Sequence, residues 1–150
     1  MTEHHIMKLI AHRGNLDGPQ PQLENQPDYL VQAISKGYDV ETDVWLVNKQ
    51  LWLGHDQPDW LIDETFLSKI AKHAWFHAKN HEAFDFLLRG GYHCFWHDQD
   101  DFTLTSRGYA WAYPGITPLK YRTVCVQQTS DEPPADAYGV CSDFVGRYAS

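Results

Sequence analysis

Residues 37–46, GYDVETDVWL, constrain this chain more than any other stretch. Their β-branched content reads as a strand, and strand side chains alternate between two faces. Val40, Thr42, Val44 and Leu46 then share one face, while Asp39, Glu41, Asp43 and Trp45 share the other. Neighbouring carboxylates repel, and burial penalises their charge, unless a cation lies between them. Hard oxygen ligands suit Mg²⁺, Ca²⁺ or Mn²⁺, so a divalent metal ion is the expected occupant. A solvated acidic edge strand is the simpler reading of these residues alone. The histidines placed around the strand decide between the two.

The flanking chain alternates apolar strands with short amphipathic helices. Residues 6–12 form an apolar run ending at His12, followed by Arg13-Gly14-Asn15 and a Gly/Pro/Gln-rich loop. Asn25 is placed to cap a helix carrying Leu30, Val31, Ala33 and Ile34, which Gly37 ends. After the acidic strand, residues 51–54 double back as a hairpin, and Pro58 breaks the chain beyond His55-Asp56. A helix is expected over 63–72, then a strand over 74–79 with Trp75, His77 and Lys79 on one face. A helix over 81–89 and a strand over 92–97 complete the regular part. Residues 100–107 have room for a turn or two of helix. Strands are expected at 109–112, 123–127 and 137–144. This pattern predicts a single α/β domain, residues 1–150, with a mainly parallel sheet. Its strand count points to a compact (β/α) barrel, which at this length must have shortened or lost several outer helices.

A net charge of −8 argues against binding a nucleic-acid backbone, although a bound cation would still admit a small phosphorylated substrate. Cys94, Cys125 and Cys141 are odd in number, widely spaced and set in apolar runs, a pattern of buried reduced thiols. The opening MTEHHIMKLI lacks an apolar stretch long enough for a signal peptide, and no later segment reads as a membrane span. A cytoplasmic setting without membrane insertion is the expectation, with His4 and His5 in a loose N-terminal tip.

Several strands end in chemically loaded residues: His12-Arg13, Glu41 with Asp43, and His77 with Lys79, while His55 closes the hairpin. Parallel α/β folds bring such strand ends to one mouth. Carboxylate-held metal, two cations and two further histidines together suit phosphate-ester chemistry. His12-Arg13-Gly14, Glu24-Asn25, Glu41-x-Asp43 and Gly54-His55-Asp56 follow the order and spacing found in glycerophosphodiester phosphodiesterases, which the chain resembles over residues 8–56. Ser142-Asp143-Phe144 is similar to that family's closing Thr-Asp-aromatic segment.

The resemblance implies a barrel phosphodiesterase with His12 and His55 as its acid–base pair. Glu41 and Asp43 would bind the metal, Arg13 and Lys79 the phosphate of a small phosphodiester, and Glu24 would orient Arg13 or a ligand. In the family's mechanism a neighbouring hydroxyl of the substrate can attack phosphorus. The chain departs from the pattern at His77, where the family carries a ligating Glu. With Glu41 and Asp43 it makes a mixed set that favours Mn²⁺, Fe²⁺ or Zn²⁺ over Mg²⁺ and Ca²⁺. The alternative is a catalytically degenerate relative that binds a phosphorylated ligand or a protein partner. Trp45, Trp52 and Trp111 could line a pocket, with core packing the favoured role. On the strand over 92–97, His97 points to the mouth and His93 to a buried, hydrogen-bonded position.

Overall fold

The structure is a computed structural model that describes residues 7–114, 122–129, 131–133 and 137–149. The expectations for His4 and His5 lie outside these residues. The described elements are β1 (Lys8–His12), α1 (Pro27–Ser35), β2 (Asp39–Val47), β3 (Gln50–Leu53), β4 (Trp60–Ile62), α2 (Glu64–Ile70), β5 (Ala74–Ala78), α3 (His81–Arg89), β6 (Cys94–Phe95), β7 (Phe102–Leu104), β8 (Ala110–Ala112), β9 (Thr123–Gln127) and β10 (Gly139–Ser142). All ten strands join one curled, mixed sheet. Along it β4-β3-β2-β1-β10-β9-β8-β7 are successive neighbours, and β5 and β6 extend from the other side of β2. The strands β6-β5-β2-β1-β10-β9-β8 run parallel.

The expected (β/α) barrel does not form. The sheet is a half-barrel with three short α-helices among the described residues, because the connections from β8 to β9 and from β9 to β10 fall short of the dozen residues that a helical crossover needs. Residues 100–107, read as helical, instead supply β7, which folds back antiparallel on β8. No ladder joins β6 to β7 among the described residues. Ser106 N–H donates to the Cys94 carbonyl at 2.8 Å, and Thr103 Oγ1–H to the Trp96 carbonyl at 2.7 Å. β4 pairs with β3 on the far edge, an addition that Pro58 concealed in the sequence.

Two side-chain periods account for the two cores. Val40, Val44, Phe76, Ala78 and Val140 face outward and pack beneath Leu30 and Ala33 of α1, Leu67 and Ile70 of α2, and Ala83 and Leu87 of α3. Ile10, Trp75, Phe95, Trp111, Val124 and Cys141 fill the concave face. The expected faces of residues 39–44 and 74–79 are therefore observed, although both are buried. The β2–β3 hairpin turns on Asn48 and Lys49, both at positive φ, as its two-residue loop requires. The helix over 81–89 has its expected bounds. Asn80 caps it by accepting from Ala83 N–H at 3.0 Å. Among the described residues, no helix is long and apolar enough to cross a membrane.

Candidate metal and catalytic site

Strand register assembles the site. β1 pairs His12 with Glu41 on β2, and β2 pairs Asp43 with His77 on β5, so these four residues sit side by side at the carboxyl ends of parallel strands. Arg13 and Lys79 follow directly on β1 and β5. His55 arrives from the loop after β3, where Gly54 is indispensable because a Cβ there would collide with the Gln57 carbonyl. These residues line one cavity of about 350 Å³, joined on its far wall by His97, Trp111 and Tyr113. Trp111 is at once cavity wall and core, stacked on Phe95 at 4.5 Å. Trp45 is not in the cavity lining, and its indole N–H donates to the Gly54 carbonyl.

Glu41, Asp43 and His77 offer ligand atoms that all lie within 4.8 Å of one another. Glu41 is 2 % exposed and Asp43 1 %, and Glu41 Oε1 has no hydrogen-bond partner among the described residues. A buried, unsatisfied carboxylate oxygen beside a second carboxylate fits a cation. His77 Nε2–H donates to the His97 carbonyl at 3.1 Å, which turns Nδ1 towards Asp43 Oδ1 at 3.1 Å and Glu41 Oε2 at 3.6 Å. Such a carbonyl partner is how proteins orient a ligating imidazole. With no cation bound, a proton takes the place on Nδ1. Burial opposes it, but the bonds and charges of Asp43 and Glu41 push the His77 pKa up to about 9. Burial works against the charge of Asp43 too, yet the His55 and His77 rings beside it, with the charges of His77 and Arg13, hold it well below the usual carboxylate range. Asp39, the third carboxylate of this strand face, stands apart. It accepts from Trp75 Nε1–H at 2.9 Å and lies 3.7 Å from Lys8 Nζ and 3.5 Å from His73 Nδ1.

The two remaining histidines are held differently. His12 donates Nδ1–H to Asp143 Oδ1 at 2.9 Å, so in the neutral ring the lone pair is on Nε2, 3.9 Å from Glu41 Oε1. Burial lowers the His12 pKa, but Asp143 and Glu41 together raise it above the ordinary value. His55 Nδ1 accepts from Arg13 Nη2–H at 2.8 Å, which puts the ring proton on Nε2. Arg13 also donates to Glu24 Oε1 at 3.2 Å. Its backbone is left-handed, φ 56°, pinned by a bond from its N–H to the Glu41 carbonyl. Lys79 has no carboxylate within ion-pair distance among the described residues.

Sequence reasoning misassigned Asn25 and gave Asp143 no role. Asn25 does not cap α1, whose N-cap is Gln26. It is buried instead, donating to Asp43 Oδ2 at 3.0 Å while accepting from Thr42 Oγ1–H at 2.7 Å, and so fixes one side of a candidate ligand. The signal was its place beside Glu24 in a recognised pair. Asp143, next to the end of β10, was flagged only as a closing motif, because its partner His12 is on the first strand. His97 reaches the cavity. His93 is buried at 6 % exposure against Thr105 Oγ1.

Comparison with known proteins adds nothing to this geometry: no protein-family model, curated protein or solved structure matches the chain.

Proposed function

We propose that this chain is a metal-dependent phosphodiesterase of the glycerophosphodiester type, acting on small glycerol- or lipid-derived diesters. One observation carries the reading: Glu41, Asp43 and His77 converge in a cavity that also holds His12, His55, Arg13 and Lys79. Glu41, Asp43 and His77 would hold the ion, which when bound supplies Lewis-acid polarisation of a phosphoryl oxygen. Their mixed chemistry favours Mn²⁺, Fe²⁺ or Zn²⁺ over Mg²⁺ and Ca²⁺. Lys79 and Arg13 neutralise the remaining phosphate oxygens. His12 Nε2 takes the proton from the attacking hydroxyl as its oxygen bonds to phosphorus, with Asp143 stabilising the imidazolium. The bond from phosphorus to the leaving oxygen breaks, and His55 delivers a proton to that oxygen. Phosphate draws Arg13 away from His55 Nδ1, which frees that nitrogen for a proton 3.6 Å from Asp43 Oδ2. Three free, buried thiols fit a cytoplasmic setting for this activity.

The test is turnover of bis(4-nitrophenyl) phosphate with Mn²⁺. His12→Ala and His55→Ala are each expected to lower it by about 10²–10⁴, the usual worth of acid–base catalysis. The acid limb of the pH profile should lie above 6.5, because His12 titrates above that ordinary value. Wild-type rates in both variants would remove the proposed roles. A second reading, binding without catalysis, draws support from the three groups that already occupy Arg13: Glu24, Asp43 and His55. Phosphate binding without turnover would establish that reading instead.

A further inference from the structure

We propose that Asn15 and Tyr29 are positioning residues for His12, acting through Asp143. Asn15 is wholly buried, yet both ends of its amide are spent on side chains. Its Nδ2–H donates to Asp143 Oδ1 at 2.9 Å, and its Oδ1 accepts from Tyr29 Oη–H at 2.8 Å. Its backbone N–H donates to the His12 carbonyl at 2.9 Å, which ties the amide to the same turn as the histidine. Asp143 Oδ1 thus receives two donors, the Asn15 amide and the His12 ring. Tyr29 is held against Gly14, where a Cβ would meet its ring at 2.8 Å, so the phenol has little room to turn away.

A polar amide with no exposed surface is unfavourable unless both its ends are satisfied, and an apolar side chain of similar shape would fill the same space. What the apolar residue could not do is choose the carboxylate oxygen that faces His12. With Asn15 in place, one oxygen is anchored and His12 keeps its proton on Nδ1, leaving Nε2 as the lone-pair nitrogen. Without it, the Asp143 carboxylate rotates, and the ring divides between its two tautomers. The inference rests on the proposed role of His12 as a base. It concerns the tautomer of that residue, which can be observed apart from turnover.

The test compares wild type with Asn15→Leu and Tyr29→Phe. Nuclear magnetic resonance of the metal-free chain, labelled with ¹⁵N-histidine, reads the His12 ring, and hydrolysis of bis(4-nitrophenyl) phosphate with Mn²⁺ gives kcat and KM. The wild type is expected to show a low-field Hδ1 signal from His12. Asn15→Leu should lose it, with kcat down about 10- to 100-fold and KM within about twofold, the usual scale for a partner that orients a working group. Tyr29→Phe, which removes a single oxygen, should shift the signal and lower kcat by about 2- to 10-fold. A wild-type His12 signal in folded Asn15→Leu would overturn the proposal. Should that variant not fold, the same signal unchanged in Tyr29→Phe would do so. An inactive wild type would remove the phosphodiesterase reading alone, because the His12 signal still decides this one.

Discussion

His77 must do two things that need different protonation states. Without metal, its imidazolium is the counter-charge for Glu41 and Asp43. With metal, Nδ1 must be bare to act as a ligand. A pKa of about 9 therefore sets the window of competition between proton and metal. Metal affinity should rise about tenfold per pH unit towards 9 and level off above it, which calorimetric titration with Mn²⁺ at several pH values would show. From the sequence, this loss of affinity is expected near the ordinary histidine value of about 6.5. The carboxylates that raise it become neighbours only in the folded chain. The same shift bears on stability. The folded pKa lies above the unfolded one, so the contribution is complete below about 6.5 and is lost as pH rises through about 9. In EDTA, the urea midpoint should fall across that interval by the equivalent of up to about 3 kcal/mol. His77→Glu should remove this window and shift metal preference towards Mg²⁺. It should also lower the melting temperature of the metal-free protein, because three carboxylates then face one another.

At the level of elements, the caps differ in what they hold. Asp63 caps α2 at the surface, accepting from Phe66 N–H. Asn80 caps α3 and also exchanges two bonds with Leu46, accepting from its N–H at 3.3 Å and donating to its carbonyl at 3.0 Å. It therefore ties the helix to the end of β2, the strand that carries the carboxylates. Asp63→Ala should cost about 1 kcal/mol, the ordinary value of a cap. Asn80→Ala should cost about 2–3 kcal/mol, because partly buried strand groups lose their partners as well. Urea denaturation at pH 7 separates the two values. The helix over 81–89 was legible because its apolar spacing and its closing glycines agree locally. β4 and β7 were not, since each is three residues long and takes its strand character from the neighbour it pairs with.

Across the whole molecule, the sheet separates a core that supports the fold from one that also supports the site. Phe76 is fully buried on the outer face beneath the helices. Phe95 is equally buried on the concave face, stacked between His77 at 4.8 Å and Trp111 at 4.5 Å. Either residue changed to Ala should cost about 3–5 kcal/mol. Only Phe95→Ala should also weaken Mn²⁺ binding, by about 10- to 100-fold, since it removes the surface against which the ligand ring is stacked. Equal metal affinity in the two folded variants would show that His77 needs no such support.

The alternation within residues 39–47 and 74–78 is a property of the extended chain, so the sequence alone determined which side chains share a face and that two carboxylates stand together. The positions of His12-Arg13, His77 and His55 at strand and hairpin ends were likewise readable from local pattern. Tertiary structure decided the rest. Register placed His12 beside Glu41 and Asp43 beside His77. Pairing of the first strand with the last brought Asp143 to His12. The curl of the sheet left a half-barrel where strand counting alone predicted a closed one. Each of these depends on which distant segments hydrogen-bond to one another, and alternation along a single strand is the same whichever neighbour it acquires.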